Sequence, residues 1–373
     1  MLDTSHHPPF SWRKASNIRF HIDGKNFYPA IINAITQAKK FILMEMYLFE
    51  SGVIADDFIK VFTVAAQRGV CVQLLVDAYG SLALSKTDRT KLTESGVQLV
   101  FYNPLMFRKF KKNLFRTHRK YLVIDGRKVF VGGAGITDYF QGKDAWRETV
   151  LEVDGNVVAD WQLLFKRNFK QWSNNAVPVP LELVNEAKGL AARVAFTTGG
   201  TRLEIKKVLL NRMNKSNEII WLASAYFIPS RKIRKALRKA AINGKDVRLL
   251  LPGEITDHPA VRYASRRYYA RLLRFGVRIF EYQGRFTHTK MVLIDDWLTI
   301  GSSNMDRWNF RWNLEANQEI EDKNMSDEAR KIMLNDFNRC TEILYFEWAN
   351  RSNVQRFKEW VWGRLDILLT KYI

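Results

Sequence analysis

The stretch THRKYLVIDGRKVFVGG, starting at Thr117, returns about 170 positions later as THTKMVLIDDWLTIGSSN, starting at Thr287. One His-x-Lys-x-x-x-x-Asp run is compatible with a strand that happens to carry a histidine. Two runs, each after a threonine and each leading into small residues, mark a duplicated unit whose halves each supply part of one site. Other segments repeat in step. KKFILMEMYLFES (39–51) resembles NEIIWLASAYFIPS (217–230), and AAQRGVCVQLLVD (65–77) matches AAINGKDVRLLLP (240–252). GVQLVFY (96–102) likewise matches GVRIFEY (276–282).

Each half therefore reads strand, helix, strand, helix, strand, His-x-Lys strand, strand. That alternation predicts an α/β sheet covered on both faces. The turn-rich segment SNNAVPVPLELVNEAKG (173–189) follows a helical pattern over 157–172, so two domains are expected, 1–178 and 179–373. A helical region near 327–370 has no counterpart in the first half.

The repeat also exposes an insertion. Tyr102 and His118 are 16 positions apart, whereas Tyr282 and His288 are only 6 apart. The extra residues lie in NPLMFRKFKKNLFR (103–116). On a helix, Phe107, Phe110 and Leu114 share a face, with Arg108, Lys109, Lys112 and Arg116 elsewhere. An apolar stripe flanked by basic residues is the pattern of an interfacial membrane helix; a basic loop packed on its own domain is the alternative.

Period-two geometry places His118 and Lys120 on one strand face, and His288 and Lys290 likewise. Asp125 and Asp295 fall at odd offsets, which suits structural hydrogen bonding better than catalysis. A paired histidine and lysine suit a phosphodiester: the lysine neutralises non-bridging oxygens and the imidazole acts as nucleophile or proton donor. A neighbouring ammonium repels a metal cation, and no metal-ligand spacing such as H-E-x-x-H is present. Ser302 and Asn304 in GSSN offer donors for phosphate oxygens. Glu315 is placed to hold Nδ1 of His288, and Glu148 is placed similarly for His118.

Composition narrows the partner. A formal net charge of +21 calls for an anionic one: nucleic acid, an anionic membrane or a phosphate-bearing substrate. With 47% hydrophobic and 26% charged residues the chain reads as globular. No apolar run approaches the roughly 20 residues of a spanning helix. The N-terminal sequence lacks a secretory pattern, and Cys71 and Cys340 are too few for a disulfide framework, so a reducing cytoplasm is expected.

At the paired motifs the chain resembles the phospholipase D superfamily, whose signature is H-x-K-x4-D followed by G-[GS]-x-N, present twice. It is most similar to bacterial cardiolipin synthases, particularly the B-type enzymes without N-terminal membrane spans. FSWRKASNIRFHIDGKNFYPAIINAITQAKKFILMEMYLFE, AAQRGV, HRK and GSSNMD…NLEAN carry that likeness. The resemblance implies two pseudo-twofold-related αβα sandwich domains with the active site at their interface. It implies metal-independent transphosphatidylation through a phosphohistidine, without a cofactor. His118 and His288 are then nucleophile and general acid, with His118 preferred as nucleophile. Lys120, Lys290, Ser302 and Asn304 bind phosphate, and Glu148 and Glu315 orient the histidines.

The sequence departs from the pattern twice. Gly135 stands where the family has asparagine, which removes one phosphate donor from the first half. Only five residues, not six, separate Asp295 from Gly301, as a trimmed hairpin turn would give.

The expected function is therefore cardiolipin synthesis from phosphatidylglycerol by a peripheral protein on the cytoplasmic side of the bacterial inner membrane. Phe107, Arg108, Lys109, Phe110 and Lys112 would touch the lipid surface. A nuclease of the same superfamily and a catalytically idle anion binder are the alternatives.

Overall fold

A computed structural model describes residues 9–108, 110–173, 176–182, 188–199 and 203–372, without the side chains of Phe110 and 366–372. Its strands form two large sheets built on one plan. The first runs Asn17–Ile22, Thr149–Asp154, Lys128–Gly132, Lys120–Ile124, Phe41–Met46, Cys71–Asp77, Gln98–Tyr102. The second contains, in the corresponding order, Leu190–Thr198, Asn313–Glu321, Trp297–Gly301, Met291–Ile294, Ile219–Ala223, Asp246–Pro252, Arg278–Tyr282. The three strands at the Gln98–Tyr102 and Arg278–Tyr282 ends are parallel, and the His-x-Lys hairpins join them antiparallel. Central strands such as Phe41–Met46 are buried along their whole length, which is why they read as mainly apolar runs rather than alternating ones. Glu45, the exception, is bonded by Tyr121 and Asn168.

Helices cover both faces. Val158–Trp172 and Lys323–Phe337 lie between the sheets, and Trp161, Phe165, Met333 and Phe337 join a core that takes side chains from both. The outer faces are closed by separate clusters, one under Gly24–Gln37 and Val53–Gln67, the other under Glu204–Lys215 and Arg231–Ile242. The repeated helix ends have a shared cause. Gly69 and Gly244 follow helices at φ 86° and 78°, where a side chain would be strained. One strand crosses between the halves: Arg13–Ala15 pairs with Leu190–Ala192 of the second sheet.

The motif aspartates tie each hairpin to the neighbouring strand. Asp125 accepts the backbone N–H groups of Lys39, Lys40 and Phe41 at 2.9, 2.7 and 2.9 Å. Asp295 accepts those of Asn217, Glu218 and Ile219 at 2.7, 2.9 and 3.0 Å. Both sit at positive φ, 52° and 50°, at the hairpin turn. The first turn has three residues between Ile124 and Lys128 and the second has two between Ile294 and Trp297, which accounts for the shorter spacing in the second motif.

Replacing either aspartate by alanine strands three backbone donors and puts a Cβ-bearing residue without a local hydrogen bond at positive φ. The expected loss is about 2–3 kcal/mol, read as a lower denaturant midpoint. Turnover per folded molecule should hold, and a loss of turnover with unchanged stability would show that the aspartates act in chemistry.

Candidate active site

Each His-x-Lys segment leaves its own sheet and lies along a strand of the other half. Arg116 and Thr117 pair in parallel with Asn313 and Leu314, and the His118 N–H donates to the Leu314 carbonyl at 2.9 Å. In the same way Thr287 bridges to Arg147, and the His288 N–H donates to the Arg147 carbonyl at 2.8 Å. The next residue on each receiving strand is a glutamate. Glu315 therefore holds Nδ1 of His118 at 3.0 and 3.2 Å, and Glu148 holds Nδ1 of His288 at 2.8 Å. The sequence pointed to the opposite assignment, with each glutamate serving the histidine of its own half. The parallel pairing between halves reverses it.

Both carboxylates are fully buried and both histidines nearly so. With Nδ1 engaged, Nε2 is the free nitrogen of the His118 ring, whereas Nε2 of His288 lies 3.1 Å from Lys290 Nζ. The Lys120 ammonium donates to the His118 carbonyl at 2.8 Å, and that of Lys290 to the His288 carbonyl at 2.5 Å. Lys290 Nζ also lies 3.8 Å from Glu148. Burial governs the charges. It lowers His118 against the pull of Glu315, and lowers His288 well below the usual range with help from Lys290 and Lys120. Burial also brings Lys120 down to about 7 and Lys290 to about 8, and it pushes Glu148 up to about 7. Cationic groups crowded in a dry site are stabilised when an anion enters between them.

The turns after the hairpins differ between halves. The Ser302 hydroxyl donates to Glu315 at 2.5 Å, so it braces the carboxylate behind His118 rather than standing free for phosphate as the sequence suggested. Asn304 is fully buried, and neither atom of its amide has a partner among the described residues. An unpaired buried amide costs free energy until something bonds it, which fits a ligand-binding group. In the first half Gly133 takes the position of Ser302. A Cβ there would come within 2.1 Å of Glu148 Oε2 and 3.1 Å of Lys290 Nζ, so only glycine leaves room for the carboxylate. Gly135 backs onto Leu48 and gives its carbonyl to the Tyr28 hydroxyl at 2.8 Å.

His118, Lys120 and His288 line one cleft of about 1060 Å³ with walls rich in aromatic and aliphatic side chains. Tyr47 packs edge-on against His118 at 4.8 Å, and Phe140 and Trp146 pack against His288 at 5.7 and 5.3 Å. These aromatic supports and Gly133 escaped sequence reasoning. The only available signal was their closeness to the repeated motifs, in LMEMYLF, DYF and AWRE. Among the described residues no group of three or more His, Cys, Asp or Glu is arranged to hold a metal ion.

The inserted segment forms part of the cleft mouth, through Leu105, Asn113 and Leu114. It is not the continuous amphipathic helix expected from its spacing. Phe107 and Arg108 form a turn, Arg108 has φ 65°, and among the described residues of the segment the helical turn is Phe110–Asn113. Side-chain amides compete successfully for the backbone: Asn113 bonds the N–H and C=O of Met106, and Asn103 donates to the carbonyls of Lys112 and Phe115. Phe107 is 88% exposed beneath the Arg108 guanidinium. Lys109 and the Phe110 side chain lie outside the described residues.

Comparison with known proteins assigns the family. Residues 31–171 and 209–337 match the family described as "Cardiolipin synthase, PLD-like domain". The chain is 33% identical over 377 aligned residues to cardiolipin synthase 2 of Bacillus anthracis, covering 95% of this chain and 72% of that protein. It is 32% identical to a probable cardiolipin synthase of Bacillus subtilis, covering 81% of this chain and 62% of that protein. The fold matches phosphatidylserine synthase of Haemophilus influenzae with a TM-score of 0.74 at 17% identity, over 97% of this chain and 95% of that one. The chain belongs to the cardiolipin synthase family of phospholipase D-type phosphatidyltransferases.

The space at Gly133 can be tested directly. Gly133→Ala should push Glu148 away from His288 and lower turnover about a hundredfold, with far-UV circular dichroism unchanged. Full activity would show that His288 does not depend on the carboxylate in that position.

Proposed function

We propose that the cleft transfers a phosphatidyl group from one phosphatidylglycerol to another, making cardiolipin and releasing glycerol. The observation that carries this reading is the crossed arrangement at its floor: two buried histidines, each with Nδ1 held by a glutamate of the other half. In the first step Nε2 of His118 attacks phosphorus. The entering phosphodiester anion favours the imidazolium of His288 against the lowering by burial. As the bond to the leaving glycerol oxygen breaks, His288 therefore gives that oxygen its Nε2 proton. A hydroxyl of the second phosphatidylglycerol then attacks the phosphatidyl-His118, and its proton passes to His288, which restores the starting state. Lys120, Lys290 and Asn304 hold the non-bridging oxygens, whose charge rises in the pentacoordinate state. Glu315 and Glu148 stabilise each imidazolium as it forms, and Ser302 positions Glu315.

Leu114, Phe140, Trp146 and Val261 give the cleft apolar wall that acyl chains can cover, which supports a lipid phosphodiester. Exposed Leu105 and Phe107, together with Arg108 and Lys112 at the mouth, support contact with an anionic membrane surface. Among the described residues no helix is long and apolar enough to cross a membrane. Peripheral attachment to the cytoplasmic face of the bacterial inner membrane fits these features.

The deciding experiment incubates purified protein with phosphatidylglycerol vesicles and, in parallel, with single-stranded DNA. Cardiolipin and glycerol in equal amounts are expected; cleaved DNA beside intact lipid would overturn the reading.

The two histidines separate with an activated substrate. A phosphatidyl ester of p-nitrophenol needs little help from an acid to leave. With it, His288→Ala should still release a burst of nitrophenol and retain phosphatidyl on the protein, whereas His118→Ala should do neither. The reverse pattern would exchange the two roles.

The lysines set the pH response. A lysine with a lowered pKa is charged only below it, so the free site loses phosphate-holding charge as pH rises through about 7 for Lys120 and about 8 for Lys290. kcat/KM should fall on that alkaline side. The bound phosphodiester anion favours the charged forms, so the corresponding fall in kcat should come at higher pH. Coincident limbs would show that the lysines do not carry the effect.

A further inference from the structure

The C-terminal helix Asn353–Tyr372 is fastened by polar groups, the reverse of an ordinary surface helix. Glu359 is buried and receives Arg266 at 3.3 Å and Arg351 at 2.8 Å. Gly363 is buried too, with its carbonyl bonded by the Arg267 guanidinium. A Cβ on Gly363 would approach Arg267 Cδ to 2.8 Å, so the helix is seated closely. Several of its described apolar side chains face outward instead. Phe357 is 64% exposed and Trp360 59%, their rings stacked on each other, with Val354 beside them along the helix. Trp362 and Leu365, further along, line the mouth of the catalytic cleft.

A belt of cations adjoins this helix. Helix Arg231–Ile242 exposes Arg231, Lys232, Lys235 and Lys239, and no acidic residue occurs between 231 and 245. The belt reaches the C-terminal helix through Tyr268, whose ring carries Arg234 at 4.3 Å and Arg267 at 4.5 Å. Burial and the neighbouring guanidiniums of Arg307, Arg267 and Arg238 hold Arg234 below its ordinary pKa, against the pull of Tyr268.

We propose that the outward face of the C-terminal helix and the basic helix beside it together dock on a bilayer rich in anionic phospholipid. The inference rests on the phospholipid reading of the cleft. It differs from contact through the insert, which stands on the first half of the chain. Aromatic side chains beside arginine and lysine match an acyl–headgroup boundary. Continuity with the cleft gives the contact a purpose. Trp362 and Leu365 extend an apolar path from the bilayer to the histidines, so a lipid can present its phosphate while its chains stay out of water.

The test uses the full chain in vesicle flotation, with vesicles of phosphatidylglycerol and phosphatidylcholine. Phe357→Ser/Trp360→Ser and Arg231→Glu/Lys235→Glu should each weaken binding to phosphatidylglycerol vesicles about tenfold. Turnover of vesicle lipid should fall with binding. Turnover of a soluble short-chain phosphatidylglycerol should stay at the wild-type level, which also shows that the variants fold. Unchanged vesicle binding in both variants would overturn the proposal. So would a charge-reversed variant that loses single-stranded DNA binding while keeping vesicle binding. If the native protein makes no cardiolipin from either lipid form, yet both variants lose vesicle binding, the transfer reading fails and the docking surface stands.

Discussion

The site depends on short parallel contacts between halves. Where Thr117 lies against Leu314, and Thr287 against Arg147, a backbone hydrogen bond fixes the following histidine beside the following glutamate. Neither half holds a complete histidine–carboxylate pair alone. The shared core around Trp161 and Phe337 therefore does more than stabilise the fold, because sliding one sheet against the other would separate both pairs at once. Trp161 strengthens that fixation by donating its indole N–H to Gln318 of the second sheet at 2.8 Å.

Burial makes this arrangement costly without a ligand and effective with one. Two lysines and two histidines share a site in which Glu148 and Glu315 hold the histidines, and desolvation drives the lysines toward neutrality. In the proposed transfer a phosphodiester supplies the missing negative charge and gathers more of it in the transition state. Binding and chemistry thus draw on the same electrostatic imbalance. The apolar cleft walls keep water from screening it.

Much of the frame was legible in the sequence. Period-two and glycine signals located matching strands and helix ends, and the duplicated His-x-Lys spacing picked out His118, Lys120 and His288, which the fold brings to one cleft. The odd offsets of Asp125 and Asp295 correctly separated them from the histidines: both carboxylates cap backbone donors. The Glu148 and Glu315 partnerships were read the wrong way round, because proximity in sequence is a poor guide where strands pair across a duplication. Ser302 was misread for a related reason. Only the folded register shows that its hydroxyl meets Glu315. The insert carried a helical pattern, yet Asn103 and Asn113 bind its backbone as a loop, and a hydrophobic periodicity cannot register side-chain-to-backbone bonds.

The near-symmetry of the floor poses a chemical problem for the proposed transfer, in which the two histidines do different things in the same step. Local asymmetry answers it. Glu315 is braced by the Ser302 hydroxyl, whereas Gly133 leaves Glu148 with the Thr149 N–H and the nearby Lys290 ammonium. The mouth is less symmetric still. On one side stands a loop with exposed Leu105 and Phe107, and Trp362 and Leu365 of a C-terminal helix without a counterpart in the first half also line it. Two copies of one lipid entering such a mouth meet different walls before reaching equivalent-looking histidines. Donor and acceptor can then be distinguished by where their chains lie, while the duplicated floor treats the phosphodiester bonds broken and formed in nearly the same way.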